Sequence, residues 1–208
     1  MIKHGRLRIG KHIETDVFSL AIGFSLLLCA DGALLCSMFI SALLHEIGHL
    51  LFFAFWHVPI ATFHIGVFGA DITARGLLSY RRDMWMFLGG CLMNFLTAAV
   101  CIVVYLYTKQ GELLIYCSLL YGVFNLLPQR ALDGGRALYA YLAMHHDLSV
   151  ARRRALIWSL ATTCLLWVIG AALFLFAAFR DRAATPAACS MFFLSLFFLR
   201  MLLKYDDL

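Results

Sequence analysis

The chain has 208 residues, 63% of them hydrophobic and only 14% charged, with a formal net charge of +5. Soluble domains average about 45–50% apolar and about 25% charged. A single water-exposed fold cannot absorb this much apolar surface, so the class is an all-α polytopic membrane protein. In that class the distribution of charge matters more than its sum, and the basic excess implies no nucleic-acid partner.

In chain order, Lys3, Arg6, Arg8 and Lys11 precede an apolar run at Val17–Ala30. This superficially resembles a secretory signal. Asp31-Gly32 leads at once into another apolar run, and Leu28 before Cys29 is not small, so an uncleaved first helix is the better reading. Further runs follow at Ala33–Trp56, Met84–Thr108, Leu113–Leu127, Ala155–Phe179 and Ala187–Leu203. A span needs about 17–25 residues, so the expectation is about six transmembrane helices, the first and fourth being short. The whole of 1–208 is expected to form one domain, with no PDZ-like insertion and no CBS-like tail.

Six spans divide the basic residues unevenly. One side receives 14 of the 17 Lys and Arg, and the other only Lys109, Arg180 and Arg182. The positive-inside rule then puts both termini in the cytosol of a plasma-membrane protein. Seven cysteines lie dispersed in apolar runs with no CxxC pair, which fits buried small side chains and neither a disulfide framework nor a thiolate zinc site. Residues 61–78 carry recurrent glycines and partly alternating β-branched residues, which favours a short β-hairpin-like segment on the cytosolic side. Such an edge can accept a substrate strand, because strand addition satisfies the substrate's backbone groups. A packed loop with two short strands is the alternative.

The chemistry concentrates in His45-Glu46-Ile47-Gly48-His49. On a helix, histidines four apart share a face and can reach one metal ion. Glu46, beside the first ligand, is placed to act as general base toward a water activated by zinc, and Gly48 leaves room beside the site. The motif lies near the middle of an apolar run. An ionisable group there costs about 2.5–3.5 kcal/mol on insertion scales and is usually retained for function.

A catalytic zinc takes three protein ligands and keeps one position open. Phe52 and Phe55 stand where an extended soluble-protease motif would place Gly and His, and Glu112 falls on the far side of the membrane. Asp133 is the best remaining carboxylate, following Pro128 in Asn125-Leu126-Leu127-Pro128-Gln129-Arg130-Ala131-Leu132-Asp133-Gly134-Gly135. The same Asp133 fits equally well as a helix N-cap. His57 and His64 are rival ligands that read better as interfacial or surface residues. His145 and His146 suit a helix C-terminus.

A HEIGH motif in an apolar helix, followed by Asn-x-x-Pro and then Asp-Gly, resembles the site-2 protease family of intramembrane zinc metalloendopeptidases. Gly89-Gly90-Cys91-Leu92-Met93-Asn94 is similar to a small-residue segment of that family's core, with Cys91 in place of its usual proline. The resemblance spans about residues 33–145, which would be a three-helix catalytic core. It implies one zinc held by His45, His49 and Asp133, with Glu46 as catalytic base. It implies that Asn94, Asn125 and Pro128 help bind substrate; interhelical hydrogen bonding is the alternative for the asparagines. The implied partners are a membrane-embedded or membrane-associated protein substrate, the lipid bilayer and regulatory membrane proteins. The compact chain also resembles the sporulation branch that processes a pro-sigma factor. Two rivals stand beside this reading: a metal-binding membrane transporter, and an inactive homologue acting as a scaffold.

Overall fold

In a computed structural model of the chain, residues 2–3, 6–9, 13–16, 31–66, 69–74 and 78–179 are described. The expected first and last spans, Val17–Ala30 and Ala187–Leu203, lie outside these residues. The chain divides into two compact units, Met1–Asn125 and Leu126–Leu208.

Among the described residues, the first unit is built on three helices. Helix α1 (Gly32–Phe55, 24 residues) and helix α2 (Tyr80–Thr108, 29 residues) are continuous apolar segments without proline. At about 1.5 Å per residue each exceeds the roughly 30 Å hydrocarbon core of a bilayer. Both leave large apolar side chains exposed, among them Phe39, Leu43, Leu51 and Phe55 on α1 and Leu96, Val100, Val103 and Tyr107 on α2. A water-facing protein rarely tolerates such continuous apolar surface, whereas lipid accommodates it.

Helix α1 ends in a Schellman turn. His57 takes the left-handed conformation (φ 52°), its N–H donates to the Ala54 carbonyl, and the Val58 N–H donates to the Phe53 carbonyl. Val58 and Phe53 are buried in one cluster with Met86, the apolar contact that accompanies this turn. Helix α2 ends at Lys109, also left-handed at φ 57°, and Gly111 at φ 91° opens helix α3 (Glu112–Asn125). With 14 residues α3 measures about 21 Å, too short to cross a bilayer alone. Strands β1 (Ile2–Lys3), β2 (Arg6–Ile9), β3 (Ile13–Asp16), β4 (Ile60–Gly66) and β5 (Gly69–Ala74) form one sheet in chain order. Among the described strands only the β3–β4 pair is parallel, and β5 lies at the edge.

The second unit holds helix α4 (Asp133–His145) and helix α5 (Leu148–Phe179). They pack through Leu142, Ala151 and Ala155, two of which are small enough to bring the helices close. Among the described residues three helices can cross a membrane by length and composition: α1, α2 and the Leu148–Ala172 part of α5. The sequence reading expects six spans. Its fourth, Leu113–Leu127, is the short α3.

Candidate metal centre

In the first unit, α1 turns His45 and His49 inward, at 2% and 7% exposure. Their rings meet edge to face with centroids 4.8 Å apart, and their Nε2 atoms are 3.2 Å apart. Two imidazoles bound to one zinc at about 2.0–2.1 Å in tetrahedral geometry would hold their nitrogens about 3.3 Å apart. The pair therefore has the spacing of a shared ion.

The outer nitrogens are engaged by α2. His49 Nδ1 lies 2.7 Å from the Met86 carbonyl oxygen. A carbonyl only accepts, so the proton is on Nδ1 and the lone pair is on Nε2, toward His45. His45 Nδ1 lies 3.1 Å from the Asn94 side-chain amide, which is fully buried. Metal-binding histidines are commonly fixed in this way through the nitrogen that does not bind the metal. The Tyr121 ring of α3 also packs edge-on against His45, at 5.0 Å between centroids. Glu46, between the two histidines in sequence, is half-buried.

Gly90 on α2 lies directly against the two imidazoles. A Cβ there would sit 2.6 Å from His45 Cε1, His45 Nε2 and His49 Nε2, in the space an ion would need. Gly48 has a different task. A Cβ on it would approach the Gly89 carbonyl oxygen to 2.5 Å and the Met93 Cβ to 2.7 Å. Gly48 and Gly89 thus set the close crossing of α1 and α2, and Gly90 supplies the room that the sequence reading assigned to Gly48.

In the second unit, Asp133 is half-buried and opens α4. The N-cap position is Leu132, whose side chain has no capping group, so Asp133 lies in the first turn rather than at the cap. Its loop folds back on the helix: the Gln129 N–H donates to the Leu127 carbonyl, and the Leu132 N–H donates to the Gln129 carbonyl. A Cβ on Gly134 would collide with the Leu126 and Leu127 carbonyls, and one on Gly135 with the Gln129 carbonyl. The two glycines therefore admit the loop's own backbone.

A polar clasp holds this loop to α5. Gln129, 1% exposed, donates from Nε2 to Thr163 Oγ1 at 3.0 Å. The Arg130 N–H donates both to Gln129 Oε1 (2.9 Å) and to Ser159 Oγ (3.1 Å). Sequence reasoning missed Gln129, Ser159 and Thr163. The local signal is that Ser159 and Thr163 are four apart on one helix face.

The remaining candidates are dispersed. Asn125 is buried at the end of α3 and donates to the Tyr121 carbonyl one turn back, at 3.1 Å. Pro128 is half-buried in the loop before α4. His57 is exposed and serves the turn that ends α1, and His64 pairs with Asp71 by backbone register in the sheet. His145 Nδ1 lies 2.9 Å from the Tyr141 carbonyl, and His146 Nε2 lies 2.6 Å from an Arg154 guanidinium nitrogen. Glu112 is exposed at the start of α3.

Among solved structures, the chain is similar to the site-2 protease from Methanocaldococcus jannaschii, with 19% identity and a TM-score of 0.56 over 91% of this chain and 92% of that one. At this identity the likeness is one of fold. No protein-family model and no curated protein matches the chain.

Proposed function

We propose that the protein is an intramembrane zinc metalloendopeptidase that cleaves a membrane-embedded or membrane-associated protein. The observation that carries this reading is the buried His45–His49 pair, with Nε2 atoms 3.2 Å apart and both outer nitrogens engaged by α2. The fold likeness and the apolar exterior of α1 and α2 support the membrane setting.

The proposed zinc ligands are His45, His49 and Asp133, two imidazoles and one carboxylate. When bound, zinc lowers the pKa of its water toward about 7 and polarises the scissile carbonyl. Glu46 takes the proton of the attacking water and returns it to the leaving amine. The substrate must unwind before attack, since a helix hides its carbonyls in intrahelical hydrogen bonds. The edge strand β5 is a candidate surface for pairing with that unwound segment. Asn125 and Pro128 are candidate substrate contacts.

The resemblance to the sporulation branch offers a membrane-tethered pro-sigma factor as one substrate class. The positive-inside pattern proposes cytosolic termini in a plasma membrane, with cleavage near the cytosolic side. The buried hydroxyls of α5 do not favour a transporter: Ser159 and Thr163 are used by the loop clasp, and Thr162 donates to the Trp158 carbonyl. The test is Glu46→Gln with a co-expressed candidate substrate. Retained zinc with cleavage reduced at least about 100-fold is expected, and undiminished cleavage would refute the mechanism.

A further inference from the structure

We infer that the start of α5 is a binding surface for an anionic phospholipid, with Arg152, Arg153 and Arg154 holding the headgroup phosphate. The surface lies wholly in the second unit. It is independent of the metalloprotease reading and rests on the membrane setting alone.

Helix α5 has 32 residues, about 48 Å, against a hydrocarbon core of about 30 Å and about 40–45 Å with the headgroups included. Residues 155–179 contain no charged side chain, so the apolar part begins directly after Arg154. The three arginines therefore stand at headgroup level. All three are exposed. Asp147 is the only carboxylate between residues 134 and 180. Among the described residues none of the three arginines forms an ion pair, and Arg154 instead reaches back over the turn to His146, with Nη1 2.6 Å from Nε2. The cationic group is thus left without an anion of its own.

The helix contact fixes which way this group faces. Ala151 and Ala155 are buried against α4. Successive residues turn by about 100°, so Arg153 lies nearly opposite that contact, with Arg152 and Arg154 about 80° from it on either side. In line with Arg153, four, seven, eleven and fifteen positions on, come Ile157, Leu160, Cys164 and Val168. All four are exposed. Arg153 thus heads a continuous apolar stripe on the face turned away from α4. From Arg153 to Cys164 the rise is about 16 Å, close to the hydrocarbon depth of one leaflet. A phospholipid matches both parts at once: guanidinium groups pair with its phosphate, and an acyl chain lies along the stripe. An acidic peptide or a free phosphate matches the arginines and leaves the stripe unused.

The test uses the full chain in detergent micelles, titrated with phosphatidylglycerol or with phosphatidylcholine of the same acyl chains, and counts bound lipid by native mass spectrometry. Wild type should hold phosphatidylglycerol at least about tenfold more tightly than phosphatidylcholine. Arg153→Gln should cost about fivefold of that preference, and the combined Arg152→Gln, Arg153→Gln and Arg154→Gln variant should abolish it. Arg81→Gln with Arg82→Gln removes two exposed cations from the start of α2 and should leave the preference within about twofold of wild type. The wild-type comparison needs no variant to fold, and equal binding of the two lipids there would overturn the inference. So would an equal loss in the Arg81 and Arg82 variant, which would assign the preference to net charge. Displacement of bound phosphatidylglycerol by an equal concentration of inorganic phosphate would also overturn it, since the arginines would then be a site for free phosphate. Each of these results leaves the metalloprotease reading untouched.

Discussion

The two regions that supply the proposed ligands are built by opposite means. His45 and His49 sit on a long helix and are held by the close crossing of α1 and α2, where Gly48, Gly89 and Gly90 add no side chain of their own. Asp133 sits at the end of a loop held by a few side-chain hydrogen bonds to α5. A helix crossing at van der Waals contact cannot yield by half an ångström without moving whole elements. A hydrogen-bonded loop loosens by degrees. Steric changes at the first region should therefore abolish the site, and polar changes at the second should weaken it in steps.

The largest effect is expected at Gly90. Gly90→Ala puts a methyl 2.6 Å from both Nε2 atoms and should reduce zinc affinity at least about 100-fold, measured by chelator competition. Wild-type affinity in this variant would show that the crossing is not rigid. Next is Gly135→Ala, whose methyl meets the Gln129 carbonyl. It should displace the loop and lower both thermal stability and cleavage, by about 2–4 kcal/mol in unfolding free energy for overpacking against backbone.

A graded response should follow at the clasp. Gln129→Leu removes the partner of Thr163 Oγ1 and of the Arg130 N–H, and Thr163→Val removes the partner of the buried Gln129 Nε2 together with the bond to the Ser159 carbonyl, each at a cost of about 1–3 kcal/mol. Cleavage by Gln129→Leu and by Thr163→Val should fall, with both still exceeding Gly90→Ala. Equal losses in all three would erase the contrast between the regions. The smallest effect is expected at His57. His57→Gly relieves a left-handed φ of 52° and should keep zinc binding and cleavage while unfolding no earlier than wild type. Loss of zinc in that variant would restore His57 as a ligand.

The two regions also differ in how far the sequence reveals them. The histidine pair is legible because its spacing is local: residues four apart on a helix must share a face. The long apolar run around it fixes the helix to within a residue or two. The partners of those histidines are not legible. Met86 offers only a backbone carbonyl, and Asn94 lies 49 positions from His45. Nothing in a spacing rule distinguishes an asparagine facing an imidazole from one facing a substrate. The glycines show the same limit. Gly48 and Gly90 both read as small residues near the site, and only the contacts separate the one that sets the helix crossing from the one that leaves room for an ion.

In the second region, Asp133 could be singled out by its chemistry but not told from an N-cap. The choice depends on where α4 begins, and end positions are the least local feature of a helix. The clasp was hidden by distance, since Gln129 and Thr163 are separated by 34 positions. It was also obscured because serine and threonine are unremarkable in a membrane helix, where they usually return a hydrogen bond to their own backbone. The length of α3 was overestimated for a related reason. Leu126 and Leu127 continue the apolar run, yet their backbone already belongs to the turn that closes on α4.

The central claim is that His45 and His49 share a catalytic zinc. The most direct measurement is the metal content of the purified full chain, by elemental analysis after dialysis, for wild type, His49→Ala and Glu46→Gln. The account predicts about one zinc per chain in wild type and in Glu46→Gln, and little or none in His49→Ala, as expected when a structural ligand is lost and a base is not. Full zinc occupancy in His49→Ala, or a wild-type chain that holds no zinc, would contradict it.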